Sequence, residues 1–204
     1  MAKKARVWTG TEFVELASAQ TDLTAYSTTA QMNTAIGAGS ALTLISSTAF
    51  SGVASVNITS CFSATYTNYK VLFYQTHQPT ANRDVTLQLL ATTTPATTAY
   101  YQGLSGTTAT NTANNTVKNN GSEIVTCQIW DSAADTSSFD MTVFKPFLAN
   151  RTTFTITNFN VSSGVYFGQA GGALHSTQTS YNGFSLATSG TNFGGVVKVY
   201  GIKD

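Results

Sequence analysis

Val85-Thr86-Leu87-Gln88-Leu89 alternates apolar and polar side chains at every step. Such a chain sends successive side chains to opposite faces, which is the period of a half-buried β-strand and not of a helix. The same period recurs from Ala41 onward. It is carried by Val56/Ile58, Val71/Phe73, Val125/Cys127/Ile129, Phe139/Met141/Val143, Phe154/Ile156, Val165/Phe167, Phe184/Leu186 and Val197/Val199. About nine strands are therefore predicted. Turn-forming residues separate them at Tyr66-Thr67-Asn68, Pro79-Thr80-Ala81-Asn82, Asn119-Asn120-Gly121 and Ser162-Ser163-Gly164. The stretch from Thr92 to Asn120 is poor in apolar residues and is expected to be a long excursion from the sheets. Few prolines and no helical period after residue 37 complete the pattern. The prediction is an all-β, jelly-roll-like antiparallel β-sandwich over residues 41–204.

Two shorter segments precede it. Residues 1–20 read as an N-terminal docking arm: basic Lys3, Lys4 and Arg6, then Trp8, Phe13 and Leu16 as apolar anchors around a turn at Gly10. Residues 21–40 read as a short helical neck. Thr21 or Asp22 can cap the helix, and Gly37-Ala38-Gly39-Ser40 closes it. Within it Ala25, Thr29, Met32 and Ile36 follow the 4-3-4 spacing of a heptad seam. Leu23, Tyr26, Ala30 and Asn33 make a second stripe at 3-4-3 spacing. Two Thr-rich heptads cannot hold a coiled coil unaided, so the helix either packs between subunits or lies on its own β-domain.

Charged residues make up 9% of the 204, against an ordinary hydrophobic fraction of 42%. Hydroxyls and amides have taken the place of charge. The exposed faces are then covered by Thr and Ser, or are buried in an oligomer. With few lysines to guard strand edges, coverage by neighbouring copies fits as well. A formal net charge of +1 does not supply the basic field that nucleic-acid binding requires. No window approaches the apolar length of a membrane span, and the basic start lacks the apolar run of a secretory signal. Assembly in a cytoplasm is the expectation, with Cys61 and Cys127 as buried free thiols.

No catalytic constellation emerges. His77 and His175 are the only histidines, and each could meet its own copies on a threefold axis. Asp131, Asp135 and Asp140 lie close in sequence but lack the spacing of a calcium loop. Glu123 with Asp131, or Asp84 with Asp140, would make a glycosidase pair only by accident of folding. The chain is expected to be no enzyme and to need neither metal nor other cofactor. Aromatic residues beside small polar ones are the remaining candidates. Tyr100, Tyr101, Tyr166 and Tyr181 could stack on sugar rings, with Arg83 on a polar rim. The alternative for each tyrosine is a place in the core or in a subunit contact.

The arm Trp8-x-Gly10-x-x-Phe13-x-x-Leu16, with Leu23-Thr24-Ala25-Tyr26-Ser27-Thr28-Thr29 and Ala35-Ile36, resembles the N-terminal segments of tailed-bacteriophage fibre proteins. Gly194-Gly195-Val196-Val197-Lys198-Val199-Tyr200-Gly201-Ile202 is similar to the last strand of small β-sandwich domains on phage virions, as is Phe62-Ser63-Ala64-Thr65-Tyr66-Thr67-Asn68-Tyr69-Lys70-Val71 to an earlier segment. The resemblance implies a homotrimeric virion surface protein, assembled in a host cytoplasm, with an N-terminal attachment end and a distal knob. It does not fix which part of the virion carries it. The reading adopted is a short tail fibre whose knob attaches to a glycan or protein of the host surface. Its arm would dock on tail or capsid proteins. A capsid decoration or head-fibre protein is the nearest alternative, and a free carbohydrate-binding module is an alternative of another class. A polysaccharide depolymerase is disfavoured by the scarcity of carboxylates.

Overall fold

The computed structural model describes residues 6–8, 11, 13–15, 41–77, 79–110, 112–131, 136–162 and 165–203. The neck expected over 21–40, with Ala25, Thr29, Met32 and Ile36, lies outside the described residues, and so does Leu16. The chain divides into two units, Met1–Ala41 and Leu42–Asp204. In the first, β1 (Arg6–Trp8) and β2 (Phe13–Glu15) pair antiparallel with Trp8 opposite Phe13. Gly10, where a turn is expected, lies outside the described residues.

The second unit is all β. Its strands are β3 (Leu42–Val53), β4 (Ser55–Ile58), β5 (Asn68–His77), β6 (Arg83–Ala91) and β7 (Thr94–Pro95). They continue as β8 (Tyr100–Thr108), β9 (Ala113–Gly121), β10 (Ile124–Ile129), β11 (Ser137–Phe144) and β12 (Thr152–Ser162). β13 (Val165–His175), β14 (Gly183–Thr188) and β15 (Phe193–Ile202) complete the set. An eight-stranded sheet has the order β3-β15-β5-β11-β12-β13-β8-β9, and a five-stranded one the order β10-β6-β14-β4 with β7 beside β6. All pairings between these strands are antiparallel.

The order identifies the fold. Without β7, β8, β9, β12 and β13, the larger sheet reads first, eighth, third, sixth in chain order. The smaller sheet reads second, seventh, fourth, fifth. That is the strand order of a jelly roll, two sheets wound together as paired Greek keys. Two hairpins are inserted into it: β8–β9 ahead of β10, and β12–β13 ahead of β14. Both add to the free side of β11, so one sheet grows from four strands to eight.

Every strand expected from alternation is found, and the inward residues are the ones that alternate. Val71, Phe73, Val85, Leu87, Leu89, Met141, Ile156, Phe184, Val197 and Val199 are buried. Phe73 stacks on Phe139 at 5.4 Å and Phe62 on Phe184 at 5.8 Å. Each such side chain contributes about 1.5–3 kcal/mol when fully removed from water. The excursion expected between Thr92 and Asn120 is instead largely strand. β8 turns Tyr100, Gln102 and Leu104 inward, and its backbone pairs with β13 along its whole length. Side-chain composition understated it because the ladder, not apolar content, holds β9 in place.

Candidate functional site

The two inserted hairpins carry most of one broad outer face. Strand register fixes which side chains stand on it. One row runs Thr142, Thr155, Gly172, Gly103 and Val117 across β11, β12, β13, β8 and β9. The next runs Asp140, Thr157, Ala170, Ser105 and Asn115. The middle of the face is thus floored by Gly172, Gly103, Ala170 and Ser105. Taller side chains of β12 (Thr153, Thr155, Thr157) and β9 (Asn115, Val117) stand at either side.

The result is a trough along β13 and β8. Two shallow depressions lie in it. One is lined by Tyr101, Gly103, Lys118, Gly172 and Leu174; the other, of about 450 Å³, by Ser105, Thr107, Thr157, Phe159, Gly168 and Ala170. Aromatic rings stand at both ends. Phe159 and Tyr166 are 53% and 50% exposed and stack with centroids 6.5 Å apart and planes 18° apart. Tyr101 stands at the other end, beside Leu174 on the neighbouring strand. From Gly168 to Leu174 the trough spans six residue steps, roughly 20 Å at about 3.3 Å per step.

The electrostatics of this face are flat. Lys70 and Asp140 at its β5–β11 margin neutralise one another in an ion pair. Lys118 on β9 lies 3.9 Å from Glu123. Between these margins the side chains are hydroxyls, amides, methyls, glycines and rings.

Beneath the trough several buried amides hold the strands together. The Gln102 amide behaves as a substitute backbone group: Nε2 donates to the Val125 carbonyl at 2.6 Å, and Oε1 accepts from the Val125 N–H at 3.0 Å. Gln102 lies on β8 and Val125 on β10, so this side chain clips the larger sheet to the smaller. Asn158 Nδ2 donates to the Thr126 carbonyl at 3.0 Å, and its Oδ1 accepts from the Gln169 N–H at 3.1 Å. Gln169 Nε2 donates to Thr116 Oγ1 at 3.0 Å and to the Asn114 carbonyl at 3.1 Å. Buried amides satisfied in this way rigidify the strands above them.

The residues singled out from the sequence divide. Tyr101 and Tyr166 are on the face. Tyr100 and Tyr181 are buried at 0% and 2% exposure, so neither offers a ring to a ligand. Tyr100 accepts the Leu89 N–H at 2.7 Å, and Tyr181 meets His175 Nδ1 at 3.1 Å. Arg83 is exposed on the smaller sheet. Its Nε donates to the Ser189 carbonyl and an Nη to the Asn82 carbonyl, both at 2.8 Å, beside Asp84 and Glu123 in a separate depression. Of the docking anchors, Trp8 and Phe13 sit opposite each other in the β1–β2 pair. Cys61 and Cys127 are free and buried, and burial pushes the Cys61 thiol up to about 12 and Cys127 higher still. His77 Nδ1 lies 3.1 Å from Ser51 Oγ. Among the described residues no three His, Cys, Asp or Glu side chains converge as a metal site would require.

Phe159 was missed. Its signal was present: Phe154 and Ile156 set an inward phase along β12, and Phe159 is out of phase with it. Compared with known proteins, the chain matches no family model and no curated protein sequence.

Proposed function

We propose that this is a non-enzymatic structural protein of a tailed-phage virion, a short trimeric fibre that presents its β-sandwich knob for attachment to the host surface. One observation supports the reading above others: two hairpins that are not needed to close a jelly roll widen one sheet, and their outer surfaces are uncharged and aromatic-ended. Their inward sides join the core, and their outward sides extend one face well beyond what a jelly roll of eight strands presents. The separate N-terminal unit supplies the arm, with Trp8 and Phe13 paired across β1–β2 as docking anchors. Buried against a tail or capsid protein, two aromatic side chains would provide a compact hot spot. Many knobs on one particle convert weak contacts into avidity.

The test is electron microscopy of intact particles labelled with antibody against residues 41–204. Tail-end label supports the fibre. Label spread over the head makes this a capsid decoration protein anchored by the same arm. Absence of label from particles overturns both. Deletion of residues 1–20 is expected to leave a folded knob that no longer enters particles.

A further inference from the structure

We infer that the trough of the eight-stranded sheet binds an uncharged glycan chain laid along β13 and β8. This rests on the attachment reading only for where the glycan is found; the site itself is argued from its residues. Gly103 carries the argument furthest. It is mid-strand, its φ is not in the left-handed region, and a Cβ built on it would meet nothing within 4 Å. Neither backbone geometry nor packing within the chain requires glycine there, although glycine weakens a strand. Its neighbours differ in this respect. Cβ atoms on Gly168 and Gly172 would lie 3.1 Å and 3.3 Å from the carbonyls of Asn158 and Phe154 on β12, so packing accounts for part of their smallness. At Gly103 the missing side chain leaves the floor open to something outside the chain.

The chemistry of the walls selects the occupant. Exposed rings at the two ends, Phe159 with Tyr166 and Tyr101, offer flat apolar faces of the kind that stack on sugar rings. Thr155, Thr157 and Ser105 between them offer hydroxyls that both donate and accept, as sugar hydroxyls do. A second copy of the chain would need an apolar centre with a polar rim. This face instead sets its rings at the two ends and, between them, small and hydroxyl-bearing residues with Val117 as the one bulkier apolar side chain. An acidic glycan or a nucleic acid would need free cations, whereas Lys70 and Lys118 at the margins are both paired with carboxylates. The flat charge complements a neutral polymer.

The experiment uses the full chain in affinity electrophoresis against dextran, mannan, galactan, a β-1,3-glucan and soluble chitin oligomers, with hyaluronate and heparin as acidic controls. At least one neutral polymer should retard the protein, and the retardation should persist in about 0.5 M NaCl, where surface charge is screened. Gly103→Val fills the floor and should weaken binding at least about tenfold with the thermal midpoint unchanged. Phe159→Ala removes only an exposed ring and should weaken it by a similar factor, which keeps the test open if valine disturbs the sheet. The proposal is overturned if no neutral polymer binds, if both variants bind as the parent does, or if the acidic polymers bind equally well. A change of oligomeric state on Gly103→Val would overturn it in favour of a second copy on this face. Particles carrying Phe159→Ala that retain the protein and adsorb normally would sink the glycan site and leave the virion reading standing.

Discussion

Tyr100 and His175 are register partners across β8 and β13, and their rings meet edge to face with centroids 4.5 Å apart. The same imidazole meets Tyr181 at 5.2 Å, almost perpendicular, while its Nδ1 lies 3.1 Å from the Tyr181 hydroxyl. Burial disfavours the charged imidazolium and lowers the His175 pKa, against opposing hydrogen bonds to the backbone of Thr98 and Thr177. The folded state therefore prefers the neutral ring. Its contribution is fully present above the unfolded-state pKa of about 6.5 and is lost as pH falls through the lower folded-state value. Urea midpoints measured from pH 7.5 down to pH 5 should decline over that interval. His175→Gln should flatten the decline; an unchanged slope in the variant would assign the effect elsewhere.

Gln102 holds the two sheets together with one amide. Gln102→Leu keeps the bulk and strands both the N–H and the carbonyl of Val125 in a buried setting. A loss of about 2–6 kcal/mol is expected, from about 1–3 kcal/mol for each of the two buried groups left unpaired. Chemical denaturation of the variant checks it. A loss below about 0.5 kcal/mol, the bottom of the range for a net hydrogen bond, would mean the clip is dispensable.

Gly171 and Gly103 face opposite sides of the same pair of strands and should respond in opposite ways to alanine. A Cβ on Gly171 would collide with the carbonyl of Gly103 on β8, so the strands must part. Gly171→Ala should cost about 3 kcal/mol or more, at the severe end of overpacking. Gly103→Ala meets open space and should be neutral or stabilising by up to about 1 kcal/mol. Thermal unfolding of the two variants side by side decides the matter. Equal destabilisation would refute the close approach.

Cys61 and Cys127 should resist thiol reagents in the folded protein at pH 8, because burial holds both as neutral thiols. Colorimetric titration should find no fast-reacting thiol until denaturant is added. A rapid native-state reaction at either residue would place it in an open conformation.

Much of this fold was legible before any coordinates. Alternation found nine strands, including the one that carries Val85-Thr86-Leu87-Gln88-Leu89, because burial on one face forces period two. It missed β3 and the β8–β9 hairpin. β9, Ala113–Gly121, is rich in Asn and exposes Val117, so only its ladder to β8 marks it as strand. The site was harder to read. Tyr100 and Tyr101 share one sequence neighbourhood, yet a single step along a strand sends one into the core and the other into solvent. The floor of the trough draws its glycines from β8 and β13, which are far apart in the chain. Only the register brings them side by side.

The order of the larger sheet also governs how the protein can be made. β15 lies between β3 and β5, paired to both. Until residues 193–202 have left the ribosome, two earlier strands must wait with a strand-wide gap between them. Such long-range closure makes folding slow and post-translational. Meanwhile the apolar row of Val71 and Phe73 stands open to any neighbouring nascent chain. Premature termination shortly before Phe193 would therefore yield a sticky, unclosed sandwich rather than a slightly shorter knob.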